Sequence, residues 1–119
     1  MMMDWKDYKT QVAGAIKEIS AANPDIVKAY AAFHHANSAS KHLDKKTREL
    51  IALGVAVSLR CDGCINAHTE AAIHAGATKE EIVDTLGVAV MVNAGAAMVY
   101  SARTIDAFNA YSPKQETTP

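Results

Sequence analysis

Apolar residues in this chain return every third or fourth position almost from end to end, a period that helices satisfy and strands do not. Trp5, Tyr8, Val12, Ile16 and Ile19 keep that step and predict a first helix over about 4–22. Asn23-Pro24 then reads as a start signal, with Asn as N-cap and Pro at the first helical position. The second helix runs to about 39, with Ile26, Tyr30, Phe33 and Asn37 along one side. Asp44 caps a third helix whose apolar seam is Leu50, Leu53 and Val57, and Asp62-Gly63 predicts a break near Arg60. A fourth helix over about 62–75 stops at Gly76, a residue suited to the position just past a helix end. Thr78-Lys79-Glu80-Glu81 has the form of a capping box and opens a fifth helix through Ile82, Leu86 and Val90. Asn93-Ala94-Gly95 predicts a kink or short break before a sixth helix to about 109. The expected fold is therefore all-α: one bundle of about six helices over 1–111, with a disordered polar tail over 112–119. No internal repeat stands out.

Half the residues are apolar but only 6% are aromatic, so the core must be built from Ala, Val, Ile, Leu and Met. Such side chains suit closely packed helices better than a β-sandwich. At 119 residues there is room for one domain with a core of its own. A net charge of -1 lacks the basic footprint of a nucleic-acid binder. The start, Met1-Met2-Met3-Asp4-Trp5-Lys6-Asp7, has no apolar run behind a basic one, which argues against a signal peptide. The long apolar stretch from Ile82 to Ala102 is interrupted by Asp84, Asn93 and Ser101 and reads as a buried core helix rather than a membrane span. These features predict a cytoplasmic protein. The Ala-rich chain also permits helix faces to be buried against other subunits.

The chain has two cysteines, Cys61 and Cys64, two residues apart. A pair so close cannot staple distant parts of a fold, so its use is more chemical than architectural. On a helix starting near Cys61, positions 61, 64 and 68 fall on one face, which sets His68 beside the thiols. The thiolate is the reactive form of cysteine, and a helix N-terminus or a neighbouring base favours it. Cys61 gains most from the helix end, while Cys64 sits one turn before the imidazole. Glu49 lies on the preceding helix beside the apolar seam, where a carboxylate can pass protons. Glu49, His68 and the two thiols together make a candidate relay.

Each member has an ordinary reading too. A lone CxxC serves redox chemistry or zinc. Structural zinc usually takes four protein ligands, and Cys61, Cys64 and His68 supply three. A lone helix histidine or glutamate is most often structural or solvated. His34, His35 and His42 read as surface or interface residues, and His74 falls on a different face from His68. Met91 and Met98 read as core. Nothing in the pattern calls for a cofactor or a resident metal.

Three runs resemble the carboxymuconolactone decarboxylase family, and more closely its alkylhydroperoxidase-D-like branch. They are Arg48-Glu49-Leu50-Ile51-Ala52-Leu53, Cys61-Asp62-Gly63-Cys64-Ile65-Asn66-Ala67-His68 and Ala75-Gly76-Ala77-Thr78-Lys79-Glu80-Glu81-Ile82. The branch carries Glu, then CxxC twelve residues on, then His four beyond the second Cys. Glu49, Cys61, Cys64 and His68 keep those steps over a match of roughly 25–108. The resemblance implies an all-α fold, a homo-trimer or homo-hexamer, and peroxiredoxin-type reduction of a hydroperoxide at the expense of a thiol or dithiol reductant. It implies that Cys64 attacks the peroxide, that Cys61 resolves the product as a disulfide, and that Glu49 and His68 relay protons. Gly63 stands where well-known members carry a histidine, one polar group fewer. Members that decarboxylate a muconolactone lack the cysteine pair. A lyase or isomerase acting on a small lactone or acid through Glu49 and His68 is the alternative enzyme. A redox-sensing oligomer is the alternative without catalysis.

Overall fold

Every helix of this protein opens on a side chain that answers its free backbone N–H groups. The computed structural model describes residues 1–113, among which the chain forms five α-helices and no strand. Asp4 accepts from the Asp7 N–H at 3.0 Å and starts α1, Trp5–Ala22. Asn23 accepts from Asp25 at 3.3 Å, with Pro24 at the first position of α2, Pro24–Ser38. Asp44 accepts from Thr47 at 2.7 Å and starts α3, Lys45–Leu59. The Cys61 sulfur fills the same role for α4, Asp62–His74. Thr78 and Glu81 close a reciprocal capping box, both bonds 3.1 Å, before α5, Lys79–Tyr111. Gly76, at φ +89°, supplies the left-handed turn that releases the chain from α4.

The expected break at Asn93-Ala94-Gly95 is absent, and one helix of 33 residues replaces the fifth and sixth. A mid-helix glycine costs only about 1 kcal/mol against alanine, which a long helix absorbs. Asn93 does not turn its amide against the helix. Its Nδ2 donates to the Ala89 carbonyl at 2.7 Å and to Ser58 Oγ at 2.8 Å, pinning α5 to the end of α3. Ser112 caps α5 as an extended residue; the rest of the expected disordered tail, beyond Pro113, lies outside the described residues.

The third helix is the hub, packed against α4 on one side and α5 on the other, while α1 rests on α2 and α4. The buried apolar residues are Leu53 and Ala56 of α3, Ala72 of α4 and Ala89 of α5. Three of these are alanines, which let helix axes approach closely. Polar links tie the remainder. The Asn66 amide donates to the Trp5 carbonyl at 2.6 Å, and Arg48 Nη1 donates to the Asn37 carbonyl at 2.7 Å. Lys9–Glu70 at 2.6 Å and Lys46–Glu81 at 2.8 Å join α1 to α4 and α3 to α5. Exposed pairs of this kind orient more than they stabilise.

The single chain leaves much of its apolar surface uncovered. Met91 and Met98, expected in the core, are 65% and 75% exposed. The apolar stretch expected to form a buried core helix has Ala89 as its buried residue and projects beyond α3. Among the described residues α5 is also the one helix long and apolar enough to cross a membrane, by length and composition. The radius of gyration is 21.3 Å, against roughly 13.5 Å for a compact domain of this length. Accessible surface totals 9945 Å², where a folded monomer of this mass exposes roughly 6,200 Å².

Two stability effects follow. Gly76→Ala meets no neighbour within 4 Å, so its whole cost is backbone strain, about 1–2 kcal/mol in chemical denaturation. Unchanged stability would contradict the left-handed turn. Asp44 and Glu81 are held below their ordinary values of 3.8 and 4.5, Asp44 by the Thr47 N–H and Glu81 chiefly by Lys46. Their contribution is complete above those values and is lost as pH falls through the lower folded ones. Acid titration of the unfolding midpoint should show that loss reduced in Asp44→Asn.

Candidate functional site

The site begins at the reversal between α3 and α4. Arg60 takes a left-handed conformation, φ 54°, as the residue after α3. Its N–H reaches the Val57 carbonyl and the Cys61 N–H reaches Ala56, each at 3.1 Å. This is the paired bonding of a Schellman turn, which consumes the last carbonyls of α3. The turn delivers Cys61 in an extended conformation to the head of α4. There its Sγ accepts from the Cys64 N–H at 3.2 Å. Cys61 and Cys64 are disulfide-bonded, their Cα atoms 5.2 Å apart, within the ordinary range for such a bridge. Both cysteines are half-buried.

Glu49 stands about one turn into α3 and His68 midway along α4, and the close packing of these helices brings them together. His68 Nδ1 lies 2.7 Å from Glu49 Oε2, with side-chain exposures of 28% and 20%. An ionised carboxylate can only accept, so Nδ1 carries the proton. In the neutral ring that leaves the Nε2 lone pair as the free base. No hydrogen bond joins His68 to either sulfur among the described residues of this disulfide form. Glu49 and His68 thus meet across the α3/α4 contact, and the Cys61–Cys64 bridge stands at the head of α4, with Cys64 one turn before His68.

The other expectations sort differently. Among the described residues no group of three or more His, Cys, Asp or Glu is placed to hold a metal ion. His35 and His42 are exposed, and His34 meets the Tyr30 hydroxyl at 2.9 Å. Gly63 has nothing within 4 Å of where a Cβ would stand, so the position of the missing histidine is open space. The break expected near Arg60 is present, but the means by which three residues hold the site went unread in the sequence. Arg60 makes the reversal, Asn66 fixes α1 on α4, and Arg48 ties α3 to the end of α2. A left-handed arginine leaves no compositional trace, and a carbonyl partner has no sequence signature. Cavities of about 650, 540 and 220 Å³ are lined by residues other than Glu49, Cys61, Cys64 and His68.

Fold and site together define an all-helical protein with a disulfide at a helix head and a carboxylate–imidazole pair beside it. The chain belongs to the carboxymuconolactone decarboxylase family, whose model matches residues 24–107. It is 43% identical over 109 residues to an uncharacterised protein of Haemophilus influenzae, covering 92% of this chain and 96% of that one. It is 35% identical over 95 residues to uncharacterised protein 4 of the cox locus of Paracoccus denitrificans, covering 80% and 86%. Among solved structures it is similar to the apo form of a carboxymuconolactone decarboxylase family protein from Legionella pneumophila. That similarity has a TM-score of 0.70 and 30% identity, and covers 92% of this chain and 97% of the other. A protein from Methanobacterium thermoautotrophicum gives a TM-score of 0.67 at 28% identity over 72% of this chain and 97% of that one.

Replacing Glu49 by Gln removes the charged acceptor of His68 but keeps the side chain's shape. Alkylation of the reduced protein by a small electrophile should slow by roughly tenfold or more, with a changed pH profile and little change in melting. An unaltered profile would remove Glu49 from the site.

Proposed function

We propose that the protein is a thiol-dependent oxidoreductase that reduces hydroperoxides through Cys61 and Cys64, with His68 and Glu49 moving the protons. The observation that carries this reading is the 2.7 Å bond between Glu49 and His68, one helical turn past Cys64. It gives a nucleophile, a base and a group that orients the base, in the order covalent catalysis needs. In the reduced protein Nε2 of His68 takes the Cys64 thiol proton. The thiolate attacks the peroxide oxygen, the O–O bond breaks, and the proton leaves with the alcohol, so ROOH becomes ROH and Cys64 becomes a sulfenic acid. The Cys61 sulfur then displaces the sulfenic hydroxyl to form the disulfide, and the Cys61 thiol proton leaves with that hydroxyl as water. A dithiol reductant reopens it by thiol–disulfide exchange and leaves as its own disulfide.

The division of labour between the cysteines is not set by the helix end alone. Cys61 has the backbone N–H at its sulfur, but an exposed helix terminus is typically worth about 0.3–1 kcal/mol. That is under one pKa unit at ~1.36 kcal/mol per unit. An oriented base both makes the thiolate and handles the proton afterwards, which favours Cys64. Cys61→Ser should therefore give a dimedone-trappable sulfenic acid at Cys64 and no disulfide, while Cys64→Ser should react slowly or not at all. Strong labelling of Cys61 in Cys64→Ser, with none at Cys64 in Cys61→Ser, would reverse the roles.

The same reading includes a homo-oligomer, a trimer or hexamer, in the cytoplasm. A helix apolar on all sides needs cover on all sides, and from Thr85 to Tyr111 α5 carries Arg103 and Asp106 as its charges. The surplus of exposed surface noted above exceeds the roughly 800 Å² per partner of a standard interface. Other copies of the chain cover it in this account. Light scattering in detergent-free buffer at micromolar concentration should return three or six times 12.7 kDa. A monodisperse monomer, or a protein that stays in solution only with detergent, would contradict the assembly.

A further inference from the structure

A cavity lined by none of the four redox-corner residues lies between the start of α1 and the face of α4 that carries Ile65, Thr69 and Ile73. Its volume is about 650 Å³, within the range of ~300–1,000 Å³ common for small-molecule sites. Trp5, Ile65 and Ile73 give it an apolar wall. The Trp5 end is anchored, since the Trp5 carbonyl accepts from Asn66 at 2.6 Å.

Charge on the rim is unbalanced. Lys6, Lys9 and His74 share it with one carboxylate, Glu70. Lys9 takes that carboxylate at 2.6 Å. The Glu70 carboxyl is held below its ordinary value first by Lys9, with the fields of His74 and Lys6 adding to it. Lys6 and His74 are thus near enough to act on Glu70, yet neither makes an ion pair or side-chain hydrogen bond among the described residues. The two lysines against the one carboxylate leave one positive charge in excess on the rim. Solvated lysines on an ordinary helix face carry no such arrangement: here they ring a hollow walled by the chain's one tryptophan.

We propose that this cavity binds a small organic anion with a planar apolar body, the ring against Trp5, Ile65 and Ile73 and the carboxylate toward Lys6 and His74. The indole offers a face for stacking, which apolar ring pairs favour. Lys6 contributes the charge that Glu70 does not cancel. The site is separate from the redox residues, and the inference stands independently of the peroxidase reading. It also gives His74 a place in the chemistry of the molecule that its spacing from His68 did not suggest.

The single tryptophan makes the test direct. Trp5 fluorescence of the full chain is titrated with phenylacetate, and in parallel with 2-phenylethanol and phenethylamine, its neutral and cationic counterparts. Phenylacetate should give a saturable change in the millimolar range, as suits a ligand of its size, and the other two should bind at least several-fold more weakly. Lys6→Glu should weaken phenylacetate by roughly fivefold or more, and Ile73→Glu should abolish saturation. Far-UV circular dichroism checks that each variant folds, and Lys6→Ala replaces Lys6→Glu should the latter fail. Linear, non-saturating quenching would overturn the proposal. So would equal affinity for the three probes, or full affinity in a folded Lys6 variant.

Discussion

Everything chemical in this protein depends on how closely α3 and α4 approach. Leu53 and Ala56 from one helix and Ala72 from the other are buried, and two of the three are no larger than a methyl group. Larger side chains there would push the axes apart. A carboxylate on α3 and an imidazole on α4 would then not meet at 2.7 Å. The small-residue seam therefore does more than fill space, because it sets the distance between the Glu49 carboxylate and the His68 imidazole. The Schellman turn at Arg60 completes the arrangement by fixing where α4 begins, and with it where the sulfurs sit. With a CxxC pair, the head of the helix and the place of chemistry coincide.

Stability and function are distributed differently along the chain. The α3/α4 pair holds three of the four buried residues and the candidate site, while α2 and the distal half of α5 hold neither. A chain that exposes Phe33, Met98 and Phe108 at 77%, 75% and 66% has set much of its hydrophobic surface aside. Shared between copies, that surface would stabilise each redox corner from outside, where the corner's own core is thin.

Much of the fold could be read from the sequence because helix ends are marked by local chemistry. Asn23-Pro24, Asp44, Gly76 and Thr78-Glu81 act within one turn of themselves, and each stands where expected. Asn93-Gly95 misled because the same residues that break a helix can be absorbed within one. The deciding partner, Ser58, lies 35 positions away. Met91 and Met98 misled for a related reason, since apolar character suits a residue to a core without placing it in the core of its own chain. The candidate site was legible because Glu49, Cys61, Cys64 and His68 keep a fixed spacing. The Glu49–His68 contact and the orientation of the imidazole arise only when α3 and α4 are packed.

The account's central claim is that this corner converts one peroxide O–O bond into one Cys61–Cys64 disulfide. The most direct measurement is a single turnover with no added reductant. Fully reduced protein is mixed with one equivalent of an alkyl hydroperoxide and quenched over time for intact-mass and peptide analysis, while the alcohol product is quantified. One disulfide and one alcohol per chain, appearing together, is the result the account requires. Peroxide that persists beside intact thiols, or thiols that pass to higher acids without the disulfide, would contradict it.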